Sequence, residues 1–145
     1  MNNIHTFTYA ISSHSGTGAL ANDKIIDIGP LRENYDTYYV KCIGFTINGS
    51  TLLSASGFYH LVVDDWAENG YYGLQSNQAI VATLNTVASI ATMTTGEGSH
   101  FIVKNMRARR QIRFRLYTPQ LTPVPNAQVQ ATTYWNALFL FTPII

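Results

Sequence analysis

The segment QIRFRLYT, residues 111–118, alternates apolar and polar side chains at every second position. Its apolar members are Ile112, Phe114 and Leu116, and its basic members are Arg113 and Arg115. Successive side chains of a β-strand point to opposite faces of its sheet, so this period of two predicts a half-buried strand. The arginines are therefore expected on the face that points away from the core.

The same period recurs through the chain. HTFTYAIS (5–12) and GFYHLVVDDW (57–66) alternate in the same way, and YVKCIGFTIN (39–48) groups Ile43, Phe45 and Ile47 on one face. YWNALFLFTPI (134–144) is apolar on both faces, which predicts a strand buried on two sides. Shorter strand candidates are KIIDIG (24–29), STLLSAS (50–56), QAIVATLN (78–85) and HFIVKN (100–105).

Turn residues separate these strands and indicate the fold class. Pro119, Pro123 and Pro125 cannot donate to a central ladder, so they predict a long loop between the last two strands. Many short strands at near-regular spacing predict an all-β antiparallel sandwich, a single jelly roll of about eight strands that occupies residues 1–145 as one domain. An immunoglobulin-like sandwich is the alternative, but its Cys and Trp pattern is missing.

The composition favours a partly covered surface. The chain has 145 residues and is 46% hydrophobic but only 12% charged, about half the usual charged fraction. Interfaces between subunits are depleted in charge, so we expect a partner subunit to cover part of the surface; a neutral polar surface is the alternative. The single cysteine, Cys42, excludes an internal disulfide. No secretory signal or membrane span is expected from the N-terminal residues or the apolar runs.

Motifs for chemistry are missing from the sequence. The four histidines show no metal-ligand spacing, and neither a nucleophile elbow nor a phosphate-binding loop is present. We therefore expect no enzymatic activity, no catalytic residues, no metal and no cofactor. Asp64, Asp65 and Glu68 gather before a turn, where a solvated turn is a simpler explanation than a calcium site.

Two clusters are candidates for contact with a partner. A basic patch comprises Arg107, Arg109, Arg110, Arg113 and Arg115. Its arginines could pair with carboxylates of a neighbouring subunit, with nucleic-acid phosphates, or within the chain with Asp64, Asp65 or Glu68; we favour the subunit. Aromatic side chains near the acidic turn predict a loop-tip anchor formed by Trp66, Tyr71 and Tyr72.

Three stretches together carry a family resemblance. RQIRFRLYTPQLTP (110–123) followed by TYWNALFLFTPII (133–145), with FYHLVVDDWAENGYY (58–72), resembles small single jelly-roll proteins of large DNA viruses and virophages. The resemblance implies a penton or minor capsid protein located in the virion, synthesised in the host cytoplasm. Its implied partners are further copies of itself, as a pentamer or trimer, and a major capsid protein. Without long basic arms, nucleic acid is the weaker partner. A carbohydrate- or receptor-binding module is the alternative function.

Overall fold

The computed structural model describes residues 6–18, 20–28, 35–48, 57–68, 77–87, 90–93, 100–104 and 111–144. These residues contain eleven strands and two 3₁₀ turns, and no helix among them is long and apolar enough to cross a membrane. The strands are β1 (Phe7–Ser12), β2 (Gly16–Thr17), β3 (Asp23–Asp27), β4 (Tyr38–Asn48), β5 (Gly57–Asp64), β6 (Ala67–Glu68), β7 (Gln78–Val87), β8 (Ile90–Met93), β9 (His100–Val103), β10 (Gln111–Tyr117) and β11 (Tyr134–Pro143).

The strands form two antiparallel sheets that pack face to face. The five-stranded sheet has the order β1-β11-β4-β9-β6, and the six-stranded sheet has the order β2-β3-β10-β5-β7-β8. Among the eight main strands the first pairs with the last, β3 with β10, β4 with β9, and β5 with β7. This nested pairing is the connectivity of a jelly roll, so the predicted all-β sandwich is confirmed.

Aromatic side chains fill the space between the sheets. Trp135 and Phe114 face each other across the sandwich with ring centroids 5.5 Å apart, and both are fully buried. The indole Nε1 of Trp135 donates a hydrogen bond to the carbonyl oxygen of Ala21 at 2.8 Å. A buried indole without that acceptor would carry the cost of an unpaired donor, so this bond makes the deep placement of Trp135 favourable.

The predicted alternation is confirmed in β1, β5 and β10. In β10 the side chains of Ile112, Phe114 and Leu116 belong to the core, while Arg113 and Arg115 lie on the outer face of the six-stranded sheet. The proline-rich loop between β10 and β11 is also confirmed, spanning residues 118–133.

In β4 the predicted face assignment is wrong for Ile43. A β-bulge shifts the register with β11 so that Leu138 lies opposite Gly44 and Phe139 opposite Cys42. Cys42 and Phe45 are therefore both buried, and Ile43 is 38% exposed. A bulge adds one residue to the strand and reverses the alternation beyond it, which a constant period of two cannot represent.

The expectation that β11 is buried on two sides is also wrong for the chain alone. Trp135, Ala137 and Phe139 face the core, whereas Asn136 and Leu138 are exposed on the outer face of the five-stranded sheet. The strand is central in its sheet, between β1 and β4, so hydrogen bonding and not two-sided burial accounts for its position. Its outer apolar side chains remain available for contact.

The loop after β10 covers part of the outer face of the six-stranded sheet. Val62, Ile80 and Tyr117 form a second small apolar cluster there, and Leu121 from the loop packs against it. A tight turn positions Leu121, whose N–H donates to the carbonyl oxygen of Thr118 at 2.9 Å. This part of the face is therefore covered by the same chain, while Ile25 and Phe58 stay exposed elsewhere on it.

Candidate interaction surface

Arg113 forms a bidentate ion pair on the outer face of the six-stranded sheet. Its Nε donates to Asp23 Oδ1 at 2.9 Å and its Nη2 donates to Asp23 Oδ2 at 2.7 Å. Asp23 lies on β3, diagonally across the strand pair, because Arg115 is the residue opposite it. The hydrogen bond and positive charge of Arg113 hold the pKa of Asp23 below its usual value, with burial opposing them.

Arg115 forms a less exposed ion pair with a residue of β5, the strand next to β10 on the side away from β3. Its Nη2 lies 2.8 and 2.9 Å from the two carboxylate oxygens of Asp64, and both side chains are less than a fifth exposed. The guanidinium also lies 5.7 Å from the centroid of the Tyr117 ring, and the phenol oxygen accepts a hydrogen bond from Gln78 at 2.9 Å. The Arg115 Nε is buried and unpartnered.

The two pairs form a small neutral cluster. Arg113 and Arg115 are successive outward residues of β10, with Asp23 on β3 at one side and Asp64 on β5 at the other, so the charges compensate within the chain. Pairing of Arg115 with Asp64 was one of the alternatives read from the sequence; the partner of Arg113 was not, because sequence spacing does not reveal the register of β3 with β10. Contact of these two arginines with another subunit stays a prediction.

Five other predicted contact residues lie outside the described residues: Arg107, Arg109, Arg110, Tyr71 and Tyr72. Their part in the basic patch and in the loop tip stays a prediction. Only Arg113, Arg115 and Trp66 of the predicted contact set can be located in the fold.

The expectation of Trp66 as an exposed anchor is wrong. The side chain is 2% exposed and its ring lies 5.7 Å from that of Phe101, 5.8 Å from Phe114 and 6.4 Å from Phe141. The neighbouring Asp65 has a φ of 56°, and this left-handed turn carries the chain from β5 in one sheet to β6 in the other. The ring at the crossing therefore points into the sandwich.

The acidic turn beside Trp66 is also partly accounted for. Both carboxylate oxygens of Asp64 are engaged by Arg115, and Asp65 is exposed. Within the described residues no group of three or more His, Cys, Asp or Glu side chains is placed to hold a metal ion.

The outer face of the five-stranded sheet is chemically different. The exposed side chains of Tyr39, Ile43 and Leu138 lie there at 37–39% exposure, and the bulge also turns Gly44 outward beside Leu138. A Cβ at Gly44 would lie 3.4 Å from the Leu138 Cβ, so the glycine leaves that leucine uncovered from the β4 side. We call Tyr39, Ile43, Gly44 and Leu138 the apolar face.

Charge is nearly missing around the apolar face. Among the described residues on the outer side of β1, β11 and β4, the charged residue is Lys41 alone. The remaining outward side chains of β1 and β11 are neutral: Thr8, Ala10, Asn136, Leu138, Leu140 and Thr142. Sequence reasoning missed this surface because it assigned Ile43 and both sides of β11 to the core. The low charged fraction of the chain was the one sign of this surface in the sequence.

A groove of about 400 Å³ lies beside β2, β3 and β10. Its polar lining includes Thr17, Asp23, Arg113 and Asn126, with Ile25 as an exposed apolar wall. The buried Asn22 fixes one side, because its Nδ2 donates to Val124 O at 2.9 Å and to Asn126 Oδ1 at 2.8 Å. The groove joins hydrogen-bonding groups to an apolar wall, a combination that small polar ligands use.

His60 is a further partly buried titratable side chain of the six-stranded face. Its Nδ1 lies 3.0 Å from Thr83 Oγ1 on β7, the residue directly opposite in the strand pair. Burial lowers the pKa of His60 below its usual value, which favours the neutral ring.

Comparisons of the chain with protein-family models, with curated proteins and with solved structures find no significant match.

Proposed function

We propose that this protein is a viral structural protein, a penton or minor capsid component that builds or cements an icosahedral shell. It would act through contacts with further copies of itself, as a pentamer or trimer, and with a major capsid protein in the virion. The apolar face carries this proposal. Support also comes from the jelly-roll connectivity and from the resemblance of residues 110–123 and 133–145 to single jelly-roll capsid proteins.

The apolar face favours a protein partner over a solvated role. Tyr39, Ile43 and Leu138 are each more than a third exposed on the outer side of the five-stranded sheet, and Lys41, between Tyr39 and Ile43 on β4, is the one charge among them. Patches of aromatic and aliphatic side chains without charge mark protein contact sites, and Tyr is enriched in them. The ion pairs of Arg113 and Arg115 lie on the opposite outer face, so the main contact in this proposal moves away from them.

Matched substitutions on the two outer faces test the proposal. Leu138→Lys adds a charge to the apolar face, and Ile25→Lys adds the same charge to an exposed aliphatic position on the six-stranded face. We expect wild type and Ile25→Lys to form symmetric pentamers or trimers in mass photometry and negative-stain imaging, and Leu138→Lys to lose these assemblies. A monomeric wild-type protein at high concentration, or equal loss in both variants, would contradict self-assembly through this face.

A carbohydrate- or receptor-binding module is the second candidate, and the groove beside Asp23 and Arg113 is the observation that favours it. The predicted loop-tip anchor cannot supply the ring of Trp66 to a ligand, because that ring is in the core. A glycan array screened with wild type and Arg113→Gln tests the groove. Retained hits that Arg113→Gln loses would support binding there, and an array without hits would remove the glycan form of this candidate.

A further inference from the structure

We propose that the free edge of β1 pairs with β1 of a second copy across a two-fold axis, joining two five-stranded sheets into one. β1 is the outermost strand of its sheet, and within the described residues its strand partner is β11 alone. Among the residues that the structure describes, one side of this six-residue strand therefore presents backbone N–H and C=O groups without a strand partner. The inference deepens the proposed function and rests on its self-assembly.

The β1 edge lacks the features that protect sheet edges. Natural edge strands are kept short, or carry charge, proline or a bulge that prevents pairing. The other outermost strands described here are short: β2 and β6 have two residues each and β8 has four. β1 has six residues, no charge, no proline and no glycine, and its register with β11 is unbroken from Phe7 to Ser12.

The neutrality of β1 is what favours a second copy as the partner. A two-fold axis sets a strand against itself, so a charged strand would face its own charge, whereas the residues from Thr6 to Ser12 carry none. Phe, Thr, Tyr and Ile also have high strand propensity. A charged partner would find no opposite charge at this edge, because the edge offers only backbone groups and neutral side chains.

The alternation of side chains restricts the register of the pair. Opposite residues must point to the same side of the joined sheet, so two residues that face each other across the axis have numbers with an even sum. With Thr6, the residue before β1, included, the longest overlap centres on Tyr9, which sets Thr8 opposite Ala10 of the second copy and Phe7 opposite Ile11. Thr8 and Ala10 are small and exposed on the outer side, so no bulky side chain obstructs this approach.

The pairing would also cover the half-buried rim of the sandwich. The ring of Phe7 stacks on Phe141 at 5.5 Å, and that of Tyr9 meets Phe141 edge-on at 6.1 Å. Both rings belong to the core side of β1 but remain partly exposed at its edge. A strand added beside β1 would place its own Phe7, Tyr9 and Ile11 next to them and make the two apolar faces continuous.

Hydrogen exchange across a concentration series tests the pairing directly. In the wild-type protein we expect exchange of the amides in residues 7–12 that face the edge to slow by about tenfold or more as dimer forms. Thr8→Lys, which lies opposite Leu140 and not opposite Leu138 of the apolar face, should abolish both the dimer and that protection, because lysine on an edge strand opposes pairing. Thr46→Lys, the same kind of change on a central strand of the same face, should retain the protection.

The outcomes separate this inference from the proposed function. Oligomers that form without concentration-dependent protection of residues 7–12 would overturn β1 pairing and leave assembly through the apolar face in place. Protection of β1 that persists in Leu138→Lys would support the pairing even if larger assemblies are lost. Sedimentation that shows only monomeric wild-type protein at about 1 mM would overturn both proposals, because a strand contact strong enough to matter should form at lower concentrations.

Discussion

The two outer faces of this sandwich cover the same core but satisfy their side chains in different ways. On the six-stranded face Arg113 and Arg115 find carboxylates on neighbouring strands, and Leu121 covers Val62 and Ile80. On the five-stranded face Tyr39, Ile43 and Leu138 remain more than a third exposed. Around Arg115 and Leu121 the first face is satisfied within the chain, although Ile25 and Phe58 remain exposed elsewhere on it, whereas the second face is suited to completion by another molecule.

The same kind of substitution is therefore expected to lower the free energy of unfolding by different amounts on the two faces. A side chain beneath the loop or in the ion pairs of the six-stranded face contributes mainly to folding, because its partners belong to the same chain. A side chain on the apolar face contributes little to the stability of the folded monomer, and we expect it to stabilise the oligomer instead. Stability and oligomeric state measured on the same variants therefore separate the two faces.

The largest expected effect comes from a pair of isoleucines. Ile80→Ala removes a side chain that is 1% exposed beneath the loop on the six-stranded face, and Ile43→Ala removes one that is 38% exposed on the apolar face. We expect Ile80→Ala to lower the free energy of unfolding by about 2–5 kcal/mol, since a cavity remains. Ile43→Ala should cost less than about 1 kcal/mol, as exposed positions usually do. Urea denaturation measures both values.

Oligomer formation provides the second readout for this pair. Ile43→Ala should weaken self-association in mass photometry, while the folded fraction of Ile80→Ala should associate like wild type. Equal destabilisation by the two substitutions would show that the apolar face is covered within the chain, and the contrast between the faces would then be lost.

A smaller effect is expected from the two ion pairs. Asp64→Ala leaves Arg115 unpaired where both side chains are less than a fifth exposed, whereas Asp23→Ala leaves Arg113 in contact with solvent. We expect a loss of about 1–3 kcal/mol for Asp64→Ala, because an enclosed charge without a partner is costly. Asp23→Ala should cost at most about 1 kcal/mol, as exposed pairs contribute little.

Thermal and urea unfolding of both variants at low and high salt check this order. Added salt should reduce the effect of Asp23→Ala more than that of Asp64→Ala, since exposed charges are screened more strongly. If Asp23→Ala proved the more costly change, the bidentate geometry of Arg113 would outweigh burial, and the description of the six-stranded face would need revision.

Much of the fold could be predicted because periodicity is a local property. The alternation of Ile112, Phe114 and Leu116 with Arg113 and Arg115 fixes the strand and its two faces without any knowledge of neighbours. Ile43 shows where this fails, because a bulge depends on how β4 pairs with β11. A sequence read with one constant period carries its phase through the bulge and assigns the next residues to the wrong side.

The candidate surface was less predictable, because it depends on which strands become neighbours. Asp23 and Arg113 are 90 residues apart in the chain and meet only through the register of β3 with β10. The side of β11 that carries Leu138 is apolar in sequence, yet it is exposed because its sheet has no second layer on that side within the described residues. Composition could indicate that such a surface exists, but not where it lies.

The smallest expected effect is the pH dependence contributed by His60 on the six-stranded face. Its folded-state pKa lies below the unfolded value of about 6.5 because burial disfavours the charged ring. Below pH 6.5 the unfolded chain therefore binds more protons at this position than the folded chain does. The contribution of His60 to the free energy of unfolding is fully present above pH 6.5 and declines as the pH falls toward the folded-state pKa.

Urea denaturation of wild type and His60→Gln between pH 7 and pH 5 measures this contribution. We expect the free energy of unfolding of the wild type to fall more steeply over that interval, since glutamine does not titrate. A proton NMR titration of the folded protein should place the midpoint of the His60 ring below 6.5. A midpoint above 6.5 would mean that a negative charge stabilises the protonated ring, and that the six-stranded face is more acidic around Thr83 than the positions of Asp64 and Asp23 indicate.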